Sequence, residues 1–192
     1  MARWFWLFVC YSFFGYLLEK LYARWTKAQR QVRKCFLLLP LCPVYGIAMC
    51  ASAALAGRRF GGNLLLCALV CTLAEYAVHL FYDKVLHVRF WDYRGERGNL
   101  AGRVCPRFSL LWGLLGAVAL EWVQPALEGL ASRIPAPVTF LVWMVLALDT
   151  VLTLALLGRY HDTEALCLEW VLRSGPPASP AHPDRRTGGS SR

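Results

Sequence analysis

Charged residues are scarce in this chain of 192 residues: they make up 17% of the sequence, whereas 57% of the residues are hydrophobic. A soluble domain usually contains about 25% charged residues. The sequence also lacks a P-loop, a dinucleotide-binding glycine turn, and the HExxH and GxSxG motifs of hydrolases. The scarcity of charge indicates a membrane protein. The missing motifs favour a chain that is not itself an enzyme, so any ATPase must be a separate subunit.

Five hydrophobic windows approach the length of about 20 residues that a helix needs to cross a bilayer. We therefore predict an all-α, polytopic membrane bundle of about five transmembrane helices, forming one domain over residues 1–173. Residues 174–192 are rich in Pro, Gly, Ser and Arg and are predicted to be a disordered cytoplasmic tail. The predicted spans cover residues 4–22, 36–56, 63–82, 108–123 and 138–158.

The basic residues are distributed unevenly between the predicted loops. With five spans, 17 of the 21 Lys and Arg residues fall on one side, and only Arg3, Arg58, Arg59 and Arg133 fall on the other. The positive-inside rule then predicts an N-terminus outside and a C-terminus in the cytoplasm. Topology and contact with anionic membrane lipids account for the net charge of +9, so we predict no nucleic-acid partner.

Four of the hydrophobic stretches each carry one carboxylate: Glu19, Glu75, Glu121 and Asp149. An ionisable group inside the hydrocarbon costs about 2.5–3.5 kcal/mol on insertion scales, so such groups usually have a partner or a function. The pattern predicts a polar interior shared between helices, where something is bound, processed or passed through.

The third span carries the sharpest local pattern, because Glu75, His79, Asp83 and His87 recur every four residues along one helical stripe. Such a stripe is suited to relaying protons or to holding a divalent metal ion. No other cofactor is evident. The alternative is that Asp83 and His87 simply lie among the lipid headgroups.

The loop after the third span, residues 90–103, combines aromatic, charged and glycine residues. Trp91 and Tyr93 are typical interface anchors. The polar residues expected beside them at the mouth of the site are Asp92, Asn99 and Arg103. The alternative is a plain interfacial loop.

Two Cys-Pro pairs begin predicted helices, and the first follows closely on another proline. Pro40 and Pro43 disrupt backbone hydrogen bonding near the start of the second span, which favours a kink beside Cys42 and Tyr45. The spacing of the eight cysteines does not indicate a disulfide framework.

A weak internal duplication relates the first two spans to the next two. The pair Leu18-Glu19 corresponds to Ala74-Glu75, and each is followed by a basic loop and a second span. The later matches are Arg33-Lys34-Cys35 with Arg103-Val104-Cys105, and Tyr45-Gly46 with Trp112-Gly113. Both units begin outside, so this would be a parallel repeat. Chance similarity between apolar segments is the alternative.

Taken in order, these motifs resemble a bacterial membrane family described as putative ABC-transporter type IV, or CmpB-like ABC transporter permease. The resemblance covers residues 11–116. It rests on Tyr11-Ser12-Phe13-Phe14-Gly15-Tyr16-Leu17-Leu18-Glu19, Cys42-Pro43-Val44-Tyr45-Gly46, Glu75-Tyr76, Trp91-Asp92-Tyr93, Asn99 and Gly102-Arg103-Val104-Cys105. The chain departs from the family at Lys34-Cys35-Phe36-Leu37-Leu38-Leu39-Pro40, where two family glycines are missing.

The resemblance implies a permease subunit of a transport system in the bacterial inner membrane, with a cytoplasmic ATPase as partner. We expect Glu19 and Glu75 to face each other and to bind substrate or a coupling ion, with Arg103 or another cytoplasmic-side base offsetting their charge. The other residues assigned to this site are Tyr45, Cys42, Asp92 and Asn99. Five spans enclose little volume, so a homo-oligomer or a partner subunit is expected to complete a pore.

Two other classes of function remain open from the sequence. The first is a small membrane enzyme acting on a lipid or its headgroup, with Glu75, His87 and Asp92 as acid–base or metal-binding groups. The second is a non-catalytic assembly or regulatory protein, in which the acids are hydrogen-bonding partners between helices.

Overall fold

The described part of the chain folds into five helices, and the prediction of an all-α membrane bundle is confirmed. The computed structural model describes residues 1–26 and 37–160. The helices are α1 (Ala2–Trp25), α2 (Pro43–Leu55), α3 (Phe60–Leu86), α4 (Pro106–Ala131) and α5 (Ala136–Tyr160). Within the described residues, α3, α4 and α5 are long and apolar enough to cross a membrane. The predicted tail, residues 174–192, lies outside the described residues.

Successive helices run antiparallel, so that α1, α3 and α5 begin at the same end of the bundle. At that end Arg3 of α1 pairs with Glu128 of α4 at 3.2 Å, and the Trp6 indole donates to Thr139 of α5. At the opposite end Tyr45 of α2 meets Glu19 of α1. Among residues 1–26 and 37–160, the basic residues of the two sets therefore lie at opposite ends of the bundle.

Small and polar residues face the interior, while large apolar residues face outward. The buried face of α3 repeats every four residues, from Asn63 through Cys67 and Cys71 to Glu75 and His79. Its outer face exposes leucines, among them Leu65, Leu69 and Leu73, with 59–70% of their surface accessible. This arrangement is expected in lipid, because helices gain nothing by hiding leucine from hydrocarbon and pack closely through small residues.

Helix α2 is shorter than the predicted span over residues 36–56. It begins at Pro43 and contains 13 residues, which corresponds to about 20 Å of helix against about 30 Å of hydrocarbon. Residues 37–42 are not helical. Pro40 and Pro43 supply no amide hydrogen, so a helix cannot run back through this segment, and Pro43 instead takes the first position of α2.

Two backbone amides of the non-helical segment before α2 donate to other helices. The amide of Cys42 donates to the Ser12 carbonyl of α1 at 2.9 Å, and the amide of Leu39 donates to Asp149 Oδ1 of α5 at 3.2 Å. Irregular backbone is tolerated at membrane depth only when it is buried in protein in this way. Asp149 thus has a structural role that the sequence did not indicate.

Helix α4 is longer than predicted and reaches Ala131 because it absorbs a proline without breaking. Pro125 has no amide hydrogen and would clash with the carbonyl four residues earlier. The helix widens into a π turn over Ala119–Val123 just before it. Gln124 then accepts a 2.7 Å hydrogen bond from the Tyr11 hydroxyl, which fastens α4 to α1.

The glycines of α4 allow it to pack closely against α3. A Cβ atom added at Gly113 would lie 2.8 Å from the Ala68 Cβ and 2.9 Å from the Leu64 carbonyl oxygen. The second of these atoms is backbone and cannot rotate away.

We therefore expect Gly113→Ala to destabilise the protein by about 1–3 kcal/mol, since overpacking forces the two helices apart. The measurement is thermal unfolding in detergent. Gly129→Ala, in the same helix, is the matched control: nothing lies within 4 Å of its added Cβ, and alanine favours helix by about 0.5–1 kcal/mol. Equal melting of Gly113→Ala and wild type would contradict close packing of α3 on α4.

Candidate functional site

Glu19 and Glu75 each accept a hydrogen bond from a tyrosine hydroxyl near the end of the bundle where α1 and α3 finish. Tyr45 of α2 donates to Glu19 Oε1, and Tyr93 of the α3–α4 loop donates to Glu75 Oε1, both at 2.8 Å. The two carboxylates are close enough for their charges to interact. The Trp112 side chain of α4 also reaches Glu75. The helices thus bring together the two acids that the sequence paired.

Aromatic rings surround the two carboxylates in a continuous series. The Tyr45 and Trp112 rings meet edge to face at 5.5 Å, and Phe108 lies 6.0 Å from Trp112. Phe108 in turn stacks on Tyr93 at 4.9 Å. We call this set the carboxylate–aromatic cluster. Its members are Glu19, Tyr45, Glu75, Tyr93, Phe108 and Trp112.

Glu75 is the most deeply buried acid of the cluster. Only 8% of the residue is accessible, and its second oxygen, Oε2, is buried without a hydrogen-bond partner. Glu19 is half-buried. Because a carboxylate has about four acceptor positions, one tyrosine and one indole leave Glu75 with unused capacity. Such capacity is unusual for a buried polar group.

The loop between α3 and α4 folds back on itself and carries Tyr93 to the cluster. The Tyr93 amide donates to the Gly102 carbonyl at 2.8 Å, closing the loop. Asn99 fixes its tip by donating to the Glu96 carbonyl and accepting from the Gly102 amide. Burial, and then the Glu75 carboxylate, raise the pKa of the Tyr93 phenol well above its usual value. The phenol therefore stays protonated and donates.

Asp92 and Asn99 lie within this loop and make contacts that hold its shape. Asp92 Oδ1 accepts from the Arg94 amide, and its other oxygen pairs with the Arg94 side chain at 3.3 Å. Gly102, at φ +70°, fits tightly against both of these residues. Neither Asp92 nor Asn99 is among the groups that contact Glu75.

Arg103 pairs with Asp83 and not with Glu75. Its Nη2 lies 2.9 Å from Asp83 Oδ2, and both side chains are only 14% accessible. The guanidinium also stands 5.5 Å from the centre of the Tyr76 ring. Arg89 binds the other Asp83 oxygen at 2.8 Å. The charge of Arg103 is therefore held by Asp83, and the expected offsetting of the glutamate charges by Arg103 or another base stays a prediction.

The predicted stripe of acids and histidines does not continue as a straight ladder. His79 is buried, and its Nε2 lies 3.0 Å from the Trp91 carbonyl oxygen. The π turn at Tyr82–Leu86 then changes the helical register, and His87 ends the helix exposed and left-handed at φ 55°. Within residues 1–26 and 37–160, no group of three or more His, Cys, Asp and Glu is placed to hold a metal ion. Proton relay and metal binding stay predictions.

Three further residues that the sequence singled out are not members of the carboxylate–aromatic cluster. Cys42 is disulfide-bonded, an exception to the expectation of no disulfide framework, so it offers no free thiol. Trp91 donates its indole hydrogen to the Arg103 carbonyl, and this hydrogen bond links two parts of the α3–α4 loop. Glu121, one of the four intramembrane acids, is exposed.

Sequence reasoning did not assign two aromatic members of the cluster, Phe108 and Trp112. Their four-residue spacing places them on one face of α4, which was a usable signal. Trp112 was also the counterpart of Tyr45 in the duplication, and each contacts the glutamate of its own helical hairpin.

A family model described as putative ABC-transporter type IV matches residues 6–155. The chain belongs to this family. The match extends the resemblance beyond residues 11–116 into α5. Comparison with curated proteins and with solved structures gives no significant match. Membership places the chain in a transport-related membrane family.

We expect Asp83→Asn to lower the stability more than a change at an exposed ion pair does, because it leaves Arg103, whose side chain is only 14% accessible, without its counter-charge. Thermal unfolding in detergent measures the change. Glu96→Gln is the control: its partner Arg107 lies at 3.5 Å and is 76% accessible, so the loss should stay below about 1 kcal/mol. Similar losses for the two variants would argue against a special role for the buried pair.

Proposed function

We propose that this protein is the membrane-embedded permease subunit of a transport system, and that its carboxylate–aromatic cluster binds the substrate or a coupling ion. The observation that carries the proposal is Glu75. It is buried in a helix long enough to cross a membrane, and one of its oxygens has no hydrogen-bond partner.

A purely structural acid would be expected to use its oxygens fully, because burial of an unsatisfied polar group costs about 1–3 kcal/mol. At Glu75, Tyr93 and the Trp112 side chain satisfy one side of the carboxylate and leave Oε2 for something else. A bound substrate or ion would supply the missing partner of Oε2. The unsatisfied oxygen of Glu75 therefore supports a role in binding rather than in hydrogen bonding between helices.

The energy source is expected to be an ATPase on another chain, because this sequence contains no nucleotide-binding motif. Its contact surface is proposed at the end of the bundle that carries Tyr93. Arg94 of the α3–α4 loop and Arg107 at the start of α4 are exposed there, with 63% and 76% of their side chains accessible. The basic segment over residues 24–34 is proposed as a second part of this contact, and most of it lies outside the described residues.

The proposed location is the bacterial inner membrane, with the N-terminus outside and the C-terminus in the cytoplasm. The end of the bundle where α1 begins carries Arg3, while the opposite end carries the arginine-rich loop over residues 89–107. The positive-inside rule predicts that the end richer in Lys and Arg faces the cytoplasm.

Reporter fusions test the orientation. A green fluorescent protein fused after Arg192 is expected to fluoresce, because it folds in the cytoplasm. Alkaline phosphatase fused after Arg133 is expected to be active, because that loop would lie outside. The reverse pattern would overturn the orientation without affecting the fold.

Purification in mild detergent tests the permease role. We expect a nucleotide-binding ATPase to co-purify at a fixed stoichiometry, and the complex to hydrolyse ATP in liposomes. Glu75→Gln should keep the complex assembled, since the amide preserves shape, while lowering the hydrolysis rate because the binding cluster is impaired. Glu121→Gln, which changes an exposed acid in a neighbouring helix, should leave the rate unchanged.

The other outcomes separate the alternative functions. An assembled complex whose hydrolysis rate is unaffected by Glu75→Gln would favour an assembly protein with structural acids. Purified protein that holds stoichiometric divalent metal and has no ATPase partner would favour an enzyme acting on lipid headgroups.

A further inference from the structure

The four rings of the cluster come from three separate parts of the chain and converge on the two acids. Tyr45 comes from α2, Phe108 and Trp112 come from α4, and Tyr93 comes from the loop. All four side chains are half-buried, so each keeps some accessible surface. Aromatic faces carry negative electrostatic potential and attract cations within about 6 Å of the ring centre. The rings and the carboxylates therefore favour the same sign of charge.

The described residues supply no basic side chain to the deepest acid. The groups that act on Glu75 are Tyr93, Trp112 and Glu19, and the second carboxylate adds to the negative field. Arg103, the nearest buried base of the loop, is held by Asp83. Glu75 Oε2, in a residue only 8% accessible, is thus an unpartnered acceptor at the edge of the aromatic series.

The chemistry of the surroundings distinguishes between kinds of cation. Hard ions such as Mg²⁺ and Ca²⁺ take about six or more oxygen ligands. The two phenol oxygens of the cluster are engaged as donors to the two carboxylates, and within the described residues no third acidic or histidine side chain joins them as a metal ligand. An organic cation needs no such shell, because its charge is spread over alkyl or aryl groups that pack against rings. Aromatic surroundings are the usual setting for quaternary ammonium recognition.

We propose that the cluster binds an organic monocation of the substituted ammonium or phosphonium class, with the charge near Glu75 and the organic groups against Tyr93, Phe108 and Trp112. This names the substrate class for the site assigned above, and it rests on the proposed function for its role in transport. The binding itself can be measured on the purified protein alone.

Tetraphenylphosphonium is the probe, since it is permanently charged and carries aromatic groups. Calorimetry of the detergent-purified protein should show saturable binding to the wild type, and no binding of triphenylphosphine oxide, a neutral compound of similar shape. Absence of saturable binding, or equal binding of the neutral compound, overturns the proposal with no variant needed.

Two substitutions locate the site. Glu75→Gln should weaken binding by about tenfold or more, because it removes the charge, while Glu75→Asp should retain most of the affinity. Phe108→Leu should weaken binding by about 3- to 30-fold, because it keeps apolar volume and loses the aromatic face. Glu121→Gln should bind as the wild type does. Unchanged affinity in folded Glu75→Gln or Phe108→Leu would place the cation elsewhere and overturn the proposal.

The two proposals fail in different ways. If Glu75→Gln lowers ATP hydrolysis but the wild type does not bind the probe, the permease role stands and the substrate class is wrong. If the probe binds through Glu75 but no ATPase co-purifies, the cation site stands and the permease role is wrong.

Discussion

The hydrogen bond from Tyr93 to Glu75 joins a loop outside the helices to a deeply buried acid inside them. A carboxylate at this depth needs donors from the protein, because no water is available in the hydrocarbon. The loop closes on itself through Gly102 and Asn99 so that Tyr93 is held in place. The Asp83–Arg103 pair then fixes the loop to the end of α3. The geometry of the cluster depends on this chain of contacts.

The same requirement explains why the bundle tolerates irregular backbone. Prolines affect the backbone at two places, before α2 and within α4. Asp149 and the Ser12 carbonyl accept hydrogen bonds from the segment before α2, and a π turn accommodates Pro125 in α4. A membrane helix interrupted without such neighbours would leave polar groups in hydrocarbon.

The two helical hairpins, α1–α2 and α3–α4, begin at the same end of the bundle and present comparable groups. In each hairpin a glutamate late in the first helix contacts an aromatic residue of the second, Tyr45 in one and Trp112 in the other. These two aromatic rings also touch each other. The correspondence is the arrangement expected of a parallel repeat, in which equivalent side chains meet where the two halves face each other.

Hydropathy, charge bias and the spacing of Glu19 and Glu75 were sufficient to predict a helical membrane bundle and to select its two paired acids. These features are local or additive, so they can be read from the sequence. The partner of Arg103, the role of Asp149 and the position of Phe108 were decided only by the tertiary structure. Each depends on which groups from distant segments come closest, and in a medium without water a buried charge binds the nearest partner that packing provides.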